Sequence, residues 1–125
     1  MRADPLLCIR AAGAGIPAFF TPTAAGTLLG RGKEVREFNG RPHVLETALA
    51  GDVALIEAWQ ADRWGNLTYR GSGRNFNPIM ATAAKLTIAQ AQHILPLGGI
   101  PPDAVITPGI FVDRVIRVDR GAPWA

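Results

Sequence analysis

DVALIEAWQADRWGNLTYRGSGRNFNPIMATAAKLTIAQ, residues 52–90, holds the alternation on which the fold reading turns. Val53, Ala54, Leu55, Ile56, Ala58 and Trp59 make a near-continuous apolar run broken by Glu57. Runs of this kind belong to strands covered on both faces, so this one is expected to be the central strand. Asp62 to Asn66 then reads as a turn, with Gly65-Asn66 supplying the turn chemistry, followed by a short strand from Leu67 to Tyr69. Asn77 stands before Pro78, which suits the first helical position, and Ile79, Met80, Ala83 and Ala84 give a short helix an apolar stripe. Leu86 to Ala91 is compatible with a further strand.

Working outward, Leu95 to Pro102 carries two Gly and three Pro and reads as a loop. Phe111 to Val118 puts Phe111, Asp113, Val115 and Arg117 on one side and Val112, Arg114, Ile116 and Val118 on the other, which predicts a strand. Prolines recur at intervals that bar long helices, so short elements are expected throughout. Strand, helix and strand in alternation predict an α/β fold, a mostly parallel sheet with flanking short helices, in a single domain over residues 1–125.

Composition narrows the function. Hydrophobic residues make up 48% and charged residues 18%, an apolar surplus that suits a subunit with a sticky face. No run approaches the roughly 18 apolar residues of a membrane span, and the N-terminal residues do not form a signal-peptide pattern, so a cytoplasmic protein without membrane association is expected. A single cysteine, Cys8, and two histidines, His43 and His93, provide no cluster at metal spacing, and no metal is expected. Cys8 reads as a small apolar filler. The net charge of +3 is spread along the chain without runs or aromatic interleaving, which argues against nucleic acid. An excess of arginine suits anionic small molecules, because the guanidinium fork meets carboxylate or phosphate at two points.

Gly13-Ala14-Gly15-Ile16-Pro17-Ala18 has the spacing of a dinucleotide fingerprint, but Pro22 follows Pro17 by five residues and leaves no helix on which to seat a pyrophosphate. Two readings stay open. Gly13 and Gly15 form a turn that brings the backbone near a ligand or another chain, with Phe19, Phe20 and Thr21 lining the pocket; or the glycines stop a helix and the two phenylalanines enter the core.

Arg70-Gly71-Ser72-Gly73-Arg74-Asn75-Phe76-Asn77 concentrates guanidiniums, amides, a hydroxyl and two glycines in eight residues, a composition that can hold an anion. Arg74 and Asn75 are therefore candidate substrate-binding residues. The plainer reading has Asn75 and Asn77 capping the helix and the arginines meeting a partner chain. Ser72 lacks a neighbouring His and any nucleophile-elbow context. Glu34, Glu37, Glu46 and Glu57 are expected to make surface pairs or to satisfy loop backbone.

Several stretches in fixed order, AAGAGIPAFFTPT at 11–23, VREFNGRPHVLE at 35–46, DVALIEAW at 52–59, DRWGNLTYRGSGRNFNP at 62–78, PIMATAAKLTIAQ at 78–90 and VITPGIFVDRVIRV at 105–118, resemble the second half of the alpha subunit of family I CoA-transferases. The resemblance implies the CoA-transferase (NagB/RpiA-like) type of α/β fold, lacking the first part of the full alpha subunit with its GGFG-type segment. Met1 to Arg10 matches only the end of a family helix.

The resemblance also implies transfer of CoA from succinyl-CoA to a 3-oxo acid, acetoacetate or 3-oxoadipate. In that family the nucleophilic glutamate comes from the beta subunit, so no catalytic residue is expected in this chain. Coenzyme A is a substrate, and no further cofactor is implied. The expected partners are a CoA-transferase beta subunit, acyl-CoA and a 3-oxo acid. The alternative is a truncated, non-catalytic remnant that binds a partner chain without turnover.

Overall fold

The computed structural model describes Arg2 and residues 4–119; the family-helix reading at Met1 and Ala3 lies outside the described residues. Where the sequence reading expects one domain, the chain divides into two compact units, Met1–Ala50 and Gly51–Ala125.

The first unit opens with helix α1, Pro5–Gly13, which carries Pro at its start and is capped by the Asp4 carboxylate accepting from Leu7 N–H. It ends on paired turn bonds, Ile16 N–H to Ala11 C=O and Gly15 N–H to Ala12 C=O, with Gly15 at φ 72°. Only glycine takes that left-handed position without strain. Cys8 is fully buried on this helix. Strands β1 (Ala18–Thr21), β2 (Val35–Phe38) and β3 (Arg41–Thr47) form an antiparallel sheet in the order β1-β3-β2. The β2–β3 hairpin turns through Asn39 and Gly40, both at positive φ, with Phe38 paired to Arg41. That two-residue turn matches the right-handed twist of the strands.

The second unit is the α/β layer. Strands β4 (Gly51–Asp62), β5 (Leu67–Thr68), β6 (Ala84–Leu95) and β7 (Arg114–Arg117) lie in the order β5-β4-β6-β7. β4 with β6 and β6 with β7 are parallel, while β5 runs antiparallel to β4, so the expected mostly parallel sheet is present. The two central strands are twelve residues each, longer than expected, because no proline falls within either of them. Helix α2 (Asn77–Thr82) joins β5 to β6 and packs Met80 and Ala81 over one face of the sheet.

That face carries the core, where Ala54, Ile56 and Ala58 of β4 meet Ala89 and Ala91 of β6 and the fully buried Leu67. Alanines on both central strands let the helix approach closely. Thr87 Oγ1 donates to the Ala81 carbonyl at 3.0 Å, tying β6 to α2.

The last strand differs from its sequence expectation, spanning Arg114–Arg117 instead of Phe111–Val118, with a 3₁₀ turn at Gly109–Phe111 ahead of it. Asp113 explains the late start. Its backbone N–H donates to Thr87 C=O, and its carboxylate accepts from Thr87 N–H at 2.7 Å, so a side chain takes the place of a ladder partner.

Candidate functional site

Above β4, on the side opposite the α2 core, Glu57 and Trp59 project beside Gln92 of β6. The chain leaving β5 returns over them. Tyr69, Arg70, Ser72 and Gly73 close a cavity of about 310 Å³ with those three strand residues. The Arg70 guanidinium lies 4.7 Å from the centre of the Trp59 ring, and His93 meets the same ring edge-on at 4.4 Å. A cation held over an aromatic face keeps its forward N–H groups available to an anion.

The loop over the cavity is held from below. Asn77 Nδ2 donates to the Gly73 carbonyl at 2.9 Å while Asn77 Oδ1 accepts from the backbone N–H of Glu57 at 3.2 Å. Asn77 therefore staples the 71–74 turn to β4 and does not cap α2, whose N-cap, Phe76, makes no side-chain bond. Gly71 stands at φ 53° and Asn75 at φ 35°, ψ −130°. Positive φ is uncommon in a residue with a side chain, and a loop so held carries local strain of the kind concentrated at ligand sites.

Tyr69 forms the floor. Its hydroxyl shares a 2.7 Å hydrogen bond with Thr107 Oγ1. Burial pushes the hydroxyl above its ordinary pKa of 10.0, opposed by the Thr107 bond and by the positive charge of Arg74. The phenol is thus a neutral donor or acceptor near pH 7.

A second fixed element lies at the C-terminal end of β4. The buried Asp62 carboxylate accepts from Trp64 N–H at 2.9 Å, Asn66 N–H at 3.0 Å and Asn66 Nδ2 at 2.8 Å. Asn66 Oδ1 in turn accepts from Gly109 N–H at 2.9 Å. This network shapes the turn that leads into β5 and the cavity loop.

The sequence-selected residues fall in both units. Gly13 ends α1 and Gly15 is its left-handed cap, so the segment is a helix stop; a Cβ on Gly15 would meet nothing within 4 Å. The helix precedes the glycine turn and a strand follows it, the reverse of the dinucleotide arrangement. Phe19 and Phe20 are half-buried on β1, and Phe20 packs against Phe38 with ring centres 5.3 Å apart and carries the Arg36 guanidinium at 4.8 Å. Thr21 is buried, its Oγ1 accepting from Thr23 N–H. Arg74 and Asn75 lie in the loop over the Trp59 cavity, both exposed.

Sequence reasoning missed Trp59, Tyr69 and Gln92 as cavity residues. The available signal was polarity: Glu57, Gln90 and Gln92 recur at odd spacings within strands that are otherwise apolar. Two glutamates also depart from expectation. Glu46 is 4% exposed and paired with Lys33, and Glu57 faces the cavity; only Glu34, paired with Arg36 at 2.8 Å, is the surface pair foreseen.

Among the described residues no three His, Cys, Asp or Glu side chains gather as metal ligands. No described helix is long and apolar enough to cross a membrane.

The parallel α/β layer, with an arginine-bearing cavity on one face, defines an α/β domain equipped for a small anionic ligand. The chain belongs to the coenzyme A transferase family, whose model matches residues 3–117. It is 59% identical over 114 residues to the A subunit of 3-oxoadipate CoA-transferase from Pseudomonas putida, a match covering 91% of this chain and 49% of that protein. It is 56% identical over 108 residues to the A subunit of succinyl-CoA:3-ketoacid coenzyme A transferase from Xanthomonas campestris pv. campestris strain B100, covering 86% of this chain and 45% of that one. The chain thus spans about half the length of these relatives. Among solved structures, an acyl-CoA transferase of E. coli O157:H7, in a thioester complex with CoA, superposes with a TM-score of 0.80 at 21% identity, over 94% of this chain and 27% of that one. That likeness bears on the fold.

Proposed function

We propose that this chain forms part of the alpha side of a CoA-transferase that moves CoA from succinyl-CoA to a 3-oxo acid, acetoacetate or 3-oxoadipate. A partner beta subunit supplies the glutamate nucleophile. The observation that carries the reading is the 59% identity, over 91% of the chain, to an alpha-type polypeptide of that class.

The chemistry asks for a covalent relay. The partner glutamate attacks the thioester carbonyl, CoA is then held as a glutamyl thioester, and the incoming acid collects it. No residue of this chain needs to be the nucleophile. Its contribution is to bind and orient. Arg70 is placed for a carboxylate of the acid substrate, while Ser72 and Gln92 offer hydrogen bonds beside it. CoA serves as substrate, and the cycle requires neither metal nor further cofactor; a cytoplasmic enzyme, apart from nucleic acid and membrane, fits this role.

The test is CoA transfer from succinyl-CoA to acetoacetate and to 3-oxoadipate, with the chain alone and co-expressed with a CoA-transferase beta subunit. Activity that appears only with the partner, and with one acceptor over the other, establishes the reading and selects the substrate. Inactivity in a stable complex establishes the alternative, a binding remnant without turnover.

A further inference from the structure

The sheet of the second unit is finished on one side only. Its α2 side holds the alanine core, whereas the opposite side, remote from the polar cavity end, presents Val53 and Leu55 of β4, Leu86 and Ile88 of β6 and Ile116 of β7. Parallel pairing sets Val53 beside Leu86, Leu55 beside Ile88 and Gln90 beside Ile116, so these side chains share one face. Leu55 is 70% exposed, and Val53 and Ile116 are each 51% exposed. Leucine and isoleucine at the centre of parallel strands are ordinarily covered, because parallel sheets occur with both faces packed.

We propose that this apolar face is the docking surface for the polypeptide that corresponds to the half of the relatives' length this chain does not match, and that it docks through an amphipathic helix. Two observations select that occupant. The relatives are about twice as long as the matched region, so they contain a comparable mass of polypeptide that this chain does not match. The dimensions of the face suit one helix: strands lie about 4.8 Å apart, so β4 to β7 spans roughly 10 Å, about the diameter of a helix with its side chains. Edge pairing would not bury these side chains, since it satisfies backbone and leaves the face open. The inference rests on family membership and the exposed face, and is independent of which acid is the acceptor.

The experiment co-expresses the full tagged chain with the unmatched half of the Pseudomonas putida 3-oxoadipate CoA-transferase relative. Complex formation is read by affinity purification followed by light scattering, and amide exchange is followed across β4 and β6. The expected result is a 1:1 complex in which Leu55→Lys weakens binding at least tenfold, while the free variant keeps the circular dichroism of the parent because Leu55 is exposed in it. Recovery of the chain without the added half overturns the proposal. So does a complex indifferent to both Leu55→Lys and Ile116→Lys, and so does self-association of the chain that those variants abolish while the added half has no effect. Because the readout is assembly, it stands or fails separately from CoA transfer.

Discussion

The Arg70 guanidinium rests 4.7 Å over the Trp59 ring, joining the loop that leaves β5 to the strand that carries the core. Trp59 is itself fixed from its edge by His93. Stacking of this kind orients a side chain that would otherwise be a freely rotating surface cation.

Replacing Arg70 should therefore separate charge from geometry. In a reconstituted complex, Arg70→Ala is expected to raise the acid acceptor's KM about tenfold or more, the worth of one charge-assisted hydrogen bond at roughly 1.5–3 kcal/mol. Arg70→Lys keeps the charge but loses the planar fork, and should recover only part of the loss. Arg70 is exposed, so thermal unfolding should stay within about 0.5 kcal/mol of the parent. Unchanged steady-state kinetics in both variants would remove Arg70 from substrate binding.

Gly109 has no room for a side chain. An added Cβ would stand 2.0 Å from the Trp64 carbonyl oxygen, and backbone cannot give way as a flexible side chain would. Gly109→Ala is expected to cost about 3 kcal/mol, as over-packing against a fixed wall does. Urea unfolding of the two proteins checks this, and equal midpoints would show that the turn relaxes.

Asp62 offers a sharper test of the same corner. Its carboxylate receives three N–H groups, and Asn66 cannot reverse its amide because Asn66 Oδ1 already accepts from Gly109. Asp62→Asn is nearly isosteric, yet it places one NH₂ group opposite another. The expected loss is about 2–3 kcal/mol, seen in urea unfolding. If Asp62→Asn unfolds with the parent while Asp62→Ala does not, packing matters there more than hydrogen bonding.

Tyr69 predicts a pH dependence. Because its folded pKa lies above the ordinary 10.0, the native state holds its proton more tightly than the unfolded chain does. The stabilisation is fully present below 10.0 and is lost as pH climbs from there through the raised folded value. Tyr69→Phe should be less stable near pH 7 by about 1 kcal/mol, through loss of the Thr107 bond, and should show a shallower alkaline decline. Parallel alkaline declines in melting experiments would assign that slope to other groups.

How far the residues announced this architecture depends on burial. Val53 to Trp59 was legible as a central strand because an apolar run has few other places to go, and Pro78 marked a short helix because its ring fixes the first turn. The β2–β3 hairpin went unread since Val35, Arg36, Glu37 and Phe38 are all exposed and leave no buried face to give a period. Asn39-Gly40 was the signal present, the dipeptide suited to a turn with two positive φ values. The β7 boundary was hidden for another reason: Asp113 bonds through its side chain to Thr87, a contact that strand alternation does not encode. The cavity was half legible, its loop by composition and its aromatic wall not, because Trp59 serves a strand and a site at once.

Phe20 distinguishes the two open readings of the Gly13 to Thr23 segment. Its ring packs on Phe38 and under Arg36, so Phe20→Ala should lower the stability of the antiparallel sheet by about 1–2 kcal/mol in any case. Stability alone therefore cannot assign it to the substrate. Phe38→Ala removes the same aromatic pair from the neighbouring side and supplies the control. If Phe20 lines the acyl pocket, Phe20→Ala raises the acceptor's KM or lowers kcat in the assembled complex, while Phe38→Ala destabilises to a similar degree with kinetics intact. Matching kinetics in the two variants would make Phe20 a packing residue of the sheet, leaving the Arg70 cavity as the site in this chain.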